Sequence, residues 1–362
     1  MVSLSEIQGL LSPVLTPLSR GYSALMSRRA RRYAMGECEQ FRPACPCLSV
    51  GNIGSGGSGK TPLADWLLKW ADIQELSVVL LTRGYGAKPP HLPYVVGPHS
   101  PASESGDEPL MLARENPDAR VVVDPVRKRS GAWASEEFSP DLVILDDGFQ
   151  HMAVKRDMDF VLLTPDDLKD GWDRVIPRGT WREGKDALRR ADVFFVKSGA
   201  ESFKSMAGLV KDRLGPFGRP VFQFSLRAVG LKLLGGGDRL EFGSGKYVLF
   251  SGIGNPQMLV ADAREYMGRE PEKFIVFRDH HAYTDRDVED IRRQAATLGA
   301  KRIICTPKDA VKLAGLGCDD FYVIDLEVEF LEALFFDGTA PLPFDKWWNL
   351  ERLLNSSQQK EN

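Results

Sequence analysis

Residues Gly54 to Thr61 match G-x-x-x-x-G-K-[ST] at every fixed position. An apolar approach (Leu48, Val50, Ile53) precedes this octapeptide, and a helix-compatible segment, Leu63 to Ala71, follows it. A strand, a glycine loop and a helix in that order form a cradle for phosphate. The glycines let successive backbone N–H groups turn toward one anion without Cβ clashes, and the helix aims its N-terminus at the same charge. All eight residues, Gly54, Ser55, Gly56, Gly57, Ser58, Gly59, Lys60 and Thr61, are therefore candidate phosphate-binding positions. Lys60 is expected to reach the β- and γ-phosphates, and Thr61 to offer its hydroxyl to Mg²⁺.

Further apolar runs extend the sheet that this loop requires. Leu76 to Leu81, Arg120 to Val123, Asp159 to Leu163 and Asp192 to Lys197 read as strands, and Lys88 to Ser103 as a long loop. Asp141 to His151 (DLVILDDGFQH) brings Asp146 and Asp147 to a strand's carboxyl end, the Walker B arrangement that sets an acid beside Mg²⁺. An Asp-Gly turn is the structural alternative there. Gln150 and His151 are either hydrogen-bonding groups that orient their neighbours or a polar turn. Asp107 and Glu108 follow Gly106 at a helix start, where they either cap the helix or act as acids. Arg174, Arg178, Arg182 and Glu183 lie on the loop Gly171 to Gly184. Its arginines either clamp phosphate or are solvated.

Beyond residue 200 the pattern predicts a second, smaller α/β unit. Val221 to Leu233 alternates like a strand. Lys246 to Phe250 is an apolar strand entering a glycine loop, Ser251 to Pro256, with no Lys-Ser/Thr to make a second phosphate loop. Phe274 to Phe277, Arg302 to Cys305 and Phe321 to Leu326 are further strands. Thr284 is expected to cap a helix from Asp285 to Leu298. The tail from Asn355 is polar and is expected to be disordered.

A chain of 362 residues has room for two such units. A net charge of −3 gives no reason to expect a nucleic-acid partner. The five cysteines (Cys38, Cys45, Cys47, Cys305, Cys318) have no regular spacing, and Cys45-Pro46-Cys47 lacks a second cluster for zinc. Reduced, structural thiols in a cytosolic setting are expected. No apolar run approaches the ~20 residues that cross a bilayer, and the start lacks a signal-peptide pattern. Leu4, Ile7, Leu11, Val14, Leu15 and Leu18 recur at helical spacing, although Pro13 and Pro17 should interrupt or kink a helix there. Arg20, Arg28, Arg29, Arg31 and Arg32 follow. This is either an interfacial segment on an anionic membrane or an ordinary core-packed helix with a basic end.

A phosphate loop with a Walker B strand implies a nucleoside triphosphate and Mg²⁺. The chain lacks a fitting N-K-x-D guanine-reading element, which favours ATP. Asp107 is a candidate base, and His280 could reach over a cleft to orient it. A nucleotide switch or metal-insertion chaperone is the alternative, weakened by the missing guanine element and by the lack of a cysteine/histidine metal cluster.

The blocks V-G-N-I-x-x-G-G-x-G-K-T-P (Val50 to Pro62), T-R-G-Y-G (Thr82 to Gly86), G-D-E-P (Gly106 to Pro109), D-D-G-F-Q-H (Asp146 to His151), R-D-H-H-x-Y-T (Arg278 to Thr284) and T-x-K-D-A-V-K-L (Thr306 to Leu313) occur in order. Together they strongly resemble the tetraacyldisaccharide 4′-kinase family of lipid A biosynthesis. The resemblance implies an α/β P-loop NTPase fold with a mostly parallel sheet and a smaller α/β domain joined by a β-stranded hinge. It divides the chain into an interfacial segment (1–35), a catalytic domain (36–215), a hinge (216–245), a smaller domain carrying His280 (246–330) and a C-terminal segment (331–362). It implies transfer of the ATP γ-phosphate to the 4′-hydroxyl of tetraacyldisaccharide 1-phosphate, with Mg²⁺. Asp107 would be the base paired with His280, and Thr61, Glu108, Asp146 and Asp147 would lie around the metal. Gln150, His151, Arg178 and Arg182 would stand near substrate. The expected partner is the lipid disaccharide at the cytoplasmic face of the inner membrane, with peripheral attachment and no protein partner. A four-chain lipid leaves a bilayer at a cost of about 0.8 kcal/mol per CH₂, which favours the interfacial reading of the N-terminus. The chain departs from the family pattern at Gly54-Ser55, at Trp181 and Gly184, and at Pro307, where Glu is expected.

Overall fold

The computed structural model describes residues 12–359 apart from residues 244, 254 and 255. Twelve strands form one sheet. They are β1 (Cys47–Asn52), β2 (Val78–Thr82), β3 (Tyr94–Val96), β4 (Arg120–Val123), β5 (Leu142–Asp146), β6 (Met158–Leu163), β7 (Val193–Lys197), β8 (Val221–Leu233), β9 (Tyr247–Ser251), β10 (Lys273–Val276), β11 (Arg302–Cys305) and β12 (Tyr322–Leu334). Their spatial order is β10-β9-β11-β12-β8-β7-β6-β1-β5-β2-β4-β3. Pairing is parallel except between β8 and β12 and between β3 and β4. The expected mostly parallel α/β fold is borne out.

β1 lies between β5 and β6 with every residue buried. Around β1 the sheet is covered on both faces, so alternate residues of one strand serve different layers. In β5, Leu142 and Ile144 face the cluster built on Leu63, Ala64, Leu67 and Leu68, whereas Val143 and Leu145 face Ala134 and Val154. Helices include α1 (Ser12–Ala34), α2 (Lys60–Ile73), α3 (Asp107–Glu115), α4 (Arg127–Phe138), α5 (Pro256–Met267) and α6 (Asp285–Thr297). A capping box at Thr284 starts α6, as expected from its sequence.

The structure differs from the sequence reading in four places. The loop from Lys88 to Ser103 carries β3, a three-residue edge strand too short to show a period. The last strand runs on to Leu334, because β8 opposes it antiparallel from Val221 to Leu233. The tail is not disordered as far as Gln359: Leu350–Gln359 is helical, with Leu353 buried in the cluster that holds Phe344 and Trp348. Finally, α1 is continuous despite its prolines. Pro13 stands in the first turn, where its N–H is not needed, and Pro17 forfeits only the bond to the carbonyl of residue 13. Leu4, Ile7 and Leu11 lie outside the described residues.

Candidate active site

The strand order sets the carboxyl ends of β1, β5 and β2 side by side. The phosphate loop therefore leaves β1 beside Asp146, which ends β5, and Thr82, which ends β2. The loop needs its glycines: Gly59 has φ +90, and a Cβ there would sit 2.7 Å from Cζ of Phe224. Two loop amides are internally engaged, Ser55 N–H with the Thr180 carbonyl and Ser58 N–H with that of Gly56, both at 2.9 Å. Gly54 pairs with Trp181 in a single antiparallel bridge.

Lys60 Nζ donates to Asn52 Oδ1 (3.2 Å) and stands 3.6 Å from Asp147 Oδ1. Thr61 Oγ1 donates to Glu108 Oε2 at 3.0 Å. Asp146 Oδ2 accepts from Thr82 Oγ1 at 2.9 Å, while its Oδ1 is buried with no hydrogen-bond partner. Burial, then the negative charges of Glu108 and Asp147, push Asp146 up to about 6.

Asp147 behaves oppositely. Burial works to raise it, but hydrogen bonds and charge from Arg182, then the charges of Lys60 and Arg127, hold it down at about 2. Arg182 grips it with both terminal nitrogens (2.8 and 2.9 Å) and also donates to the carbonyl and side-chain oxygen of Asn52. Asp147 was expected beside the metal, yet its oxygens already face cations. Asp146, Glu108 and Thr61 are the better oxygen donors.

Those three fit a hard divalent cation: all are oxygen donors, and one carboxylate oxygen is buried without a partner. Among the described residues, no group of three or more His, Cys, Asp or Glu could hold a metal ion. A small cation here would complete its shell with phosphate and water oxygens, as Mg²⁺ commonly does.

Asp107 and Glu108 open α3. The residue before them, Gly106, has φ +83, and the helix start has no side-chain capping bond. Their carboxylates are thus not spent on the cap. Glu108 reaches the loop, and Asp107 Oδ2 meets His280 Nδ1 at 3.0 Å, 173 residues away in sequence. His280 sits at φ +58 on the loop after β10, beside the Tyr85 ring at 5.7 Å.

Other residues singled out in the sequence are nearby but differently employed. Gln150 Nε2 donates to the Asn52 carbonyl at 3.0 Å. His151 Nε2 is buried without a hydrogen-bond partner, and burial followed by the charges of Arg127, Arg156, Arg29 and Arg83 pushes its imidazole down to about 4. Arg178 offers its backbone N–H to Ser19 Oγ of α1 at 3.1 Å. Sequence reasoning gave no role to Asn52, whose two oxygens gather Lys60, Arg182 and Gln150. It also missed the ammonium of Lys308, 3.3 Å from His280 Nε2. Both residues stood inside quoted motifs, which was the available signal.

Fold and site define a phosphate-loop α/β protein whose nucleotide cradle faces a paired carboxylate and imidazole. A model of the family described as tetraacyldisaccharide-1-P 4′-kinase matches residues 11–337. The tetraacyldisaccharide 4′-kinase of Nitratidesulfovibrio vulgaris is 49% identical over 347 residues, covering 96% of each chain. That of Oleidesulfovibrio alaskensis is 47% identical over 357 residues, covering 96% of this chain and 97% of the relative. A solved structure of the "apo" form of LpxK from Aquifex aeolicus in complex with ATP superposes with a TM-score of 0.73. It is 27% identical and covers 96% of this chain and 98% of that one. The chain belongs to the tetraacyldisaccharide-1-P 4′-kinase family.

Proposed function

We propose that this chain transfers the γ-phosphate of ATP to the 4′-hydroxyl of a tetraacyldisaccharide 1-phosphate, working at the cytoplasmic face of the inner membrane. The 3.0 Å contact between His280 and Asp107 carries this reading, because it lies one residue from Glu108, which bonds to Thr61 of the phosphate loop. Asp107 takes the proton of the acceptor hydroxyl, and that oxygen attacks the γ-phosphorus. The bond from the γ-phosphorus to the β-phosphate bridging oxygen breaks, and ADP leaves. Lys60 and Arg182 supply positive charge to the phosphates once they exchange Asp147 for nucleotide. Mg²⁺, held by Thr61, Glu108 and Asp146, would neutralise charge on the β- and γ-oxygens. The antiparallel pair β8 and β12 is the proposed hinge across which the His280 segment closes on α3.

The acceptor's acyl chains require a membrane surface. None of the described helices is long and apolar enough to cross one. α1 instead offers Val14, Leu18 and Leu25 to solvent, each more than half exposed, and carries Arg20, Arg28, Arg29, Arg31 and Arg32 along its length. Its other side is tied to the body through Ser19, which donates to the Val175 carbonyl at 2.8 Å. We infer that this outer face enters the lipid headgroup region. Transfer of ³²P from ATP to tetraacyldisaccharide 1-phosphate in mixed vesicles tests the activity; ATP hydrolysis without a phosphorylated lipid sinks it. Replacing Val14, Leu18 and Leu25 with Ser should weaken vesicle binding by about 10- to 100-fold. Unchanged co-sedimentation would remove α1 from the membrane contact.

A further inference from the structure

Lys308 approaches three groups. Its Nζ lies 3.3 Å from His280 Nε2 and 3.7 Å from both Glu108 Oε1 and Asp279 Oδ1. It is held there by a rigid mount. Thr306 caps the short helical turn Pro307–Ala310, accepting from Asp309 N–H at 3.2 Å and donating to Asp309 Oδ2 at 2.6 Å. Asp309 is fully buried and also accepts from Gly252 N–H at 3.0 Å and Tyr283 OH at 2.9 Å. The Gly252 carbonyl in turn accepts from the backbone N–H of His280. One buried carboxylate thus fixes both the turn that carries Lys308 and the loop that carries His280.

An ammonium has only hydrogens to offer. A contact from Lys308 Nζ to His280 Nε2 therefore requires a lone pair on Nε2. The ring's one proton must then be on Nδ1, directed at Asp107 Oδ2. We propose that Lys308 is a positioning residue that donates to Nε2 of His280 and so holds the ring in the tautomer whose Nδ1–H faces Asp107. The contact to Glu108 compensates the ammonium and draws the second half of the chain onto α3. This inference rests on the reading of Asp107 as base.

Two measurements on the full chain test it. With ring-¹⁵N histidine, the His280 signals, assigned by their loss in His280→Gln, should show a protonated Nδ1 and an unprotonated Nε2. In Lys308→Met the Nε2 signal should move toward the protonated shift, and kcat should fall about 10- to 100-fold with KM for ATP unchanged. Lys308→Arg, another group that only donates, should keep Nε2 unprotonated and recover most of kcat. A protonated Nε2 in the wild type overturns the proposal. So does a folded Lys308→Met with an unmoved Nε2 signal, an undiminished kcat or a raised KM for ATP, the last marking a phosphate contact instead. Thermal melts establish folding, and Lys308→Gln replaces Met if that variant unfolds. The base assignment is tested separately: Asp107→Asn that retained transfer would end it, whatever the ring signals showed about Lys308.

Discussion

Asp146 ends a strand whose five residues are all buried, and parallel pairing sets it beside Val50 of β1. His280 sits on a loop with 38% of its side chain exposed, and it reaches Asp107 from 173 residues away. The nucleotide side of the site is thus mounted on the sheet. The opposite side is mounted on one buried carboxylate, Asp309. Rigidity of the first kind comes from backbone ladders and apolar layers; rigidity of the second comes from hydrogen bonds to a single charge. Changing one residue should therefore damage the two sides in different currencies: chemistry on the sheet side, architecture on the loop side.

Asp146→Asn breaks the sheet side and carries the largest expected effect. Loss of the cation ligand proposed for Asp146 should lower transfer about 10³-fold. The same change should stabilise the nucleotide-free protein. Asp146 is raised to about 6 from an ordinary 3.8, so folding favours its protonated form. Stability from this group is fully present below the unfolded value. It is lost as pH rises through 3.8 to 6 and stays lost at neutral pH, at a cost of up to about 3 kcal/mol. Asn removes that loss, so urea melts at pH 7.5 should shift upward and the acid-side gain should flatten. Asp147→Asn should act with the opposite sign, because Asp147 is depressed to about 2 and its stabilisation is present above 3.8. A wild-type melt profile and undiminished transfer in Asp146→Asn would take that carboxylate out of the site.

Asp309→Asn breaks the loop side. It leaves the ammonium of Lys312, 3.0 Å away and 6% exposed, without its counter-charge. The expected loss is about 3 kcal/mol of unfolding free energy, with transfer impaired because Gly252 and the His280 loop lose their anchor. ATP affinity should be preserved, since the phosphate loop touches none of these groups. Urea unfolding and nucleotide titration separate the two effects. A parallel fall in ATP affinity would mean that the two sides are not independently mounted.

This difference in mounting also explains what the sequence could reveal. Gly54 to Thr61, Asp146 and the capping box at Thr284 are local patterns, each legible within a few residues because strand, turn and cap chemistry act over that range. The pairing of Asp107 with His280 is suggested by their chemistry, as a base and an imidazole able to orient it, and reinforced by the family resemblance; no local rule of spacing brings the two residues together. Neither the cation-facing role of Asp147 nor the gathering of Lys60 and Arg182 by Asn52 has a sequence period. Both follow from where β1 and β5 end. The helical tail was misread because Leu350 and Leu353 alone make a weak stripe until Trp348 and Phe344 give them a surface to cover.

Pro307→Glu is the smallest and most selective probe of the loop side. Pro307 occupies the first position of the turn capped by Thr306, where a fixed φ is favourable and no N–H is required. Glu there loses the restriction that proline imposes on the unfolded chain, worth about 0.4–1 kcal/mol. It gains a carboxylate near a helical N-terminus, worth about 0.3–1 kcal/mol. The two nearly cancel, so unfolding free energy should change by less than about 0.5 kcal/mol. Because Asp309 rather than residue 307 anchors the mount, the ring signals of His280 should not move and transfer should persist. A loss well beyond this balance in the urea melt, or a shifted Nε2 signal, would show that residue 307 helps set the position of Lys308.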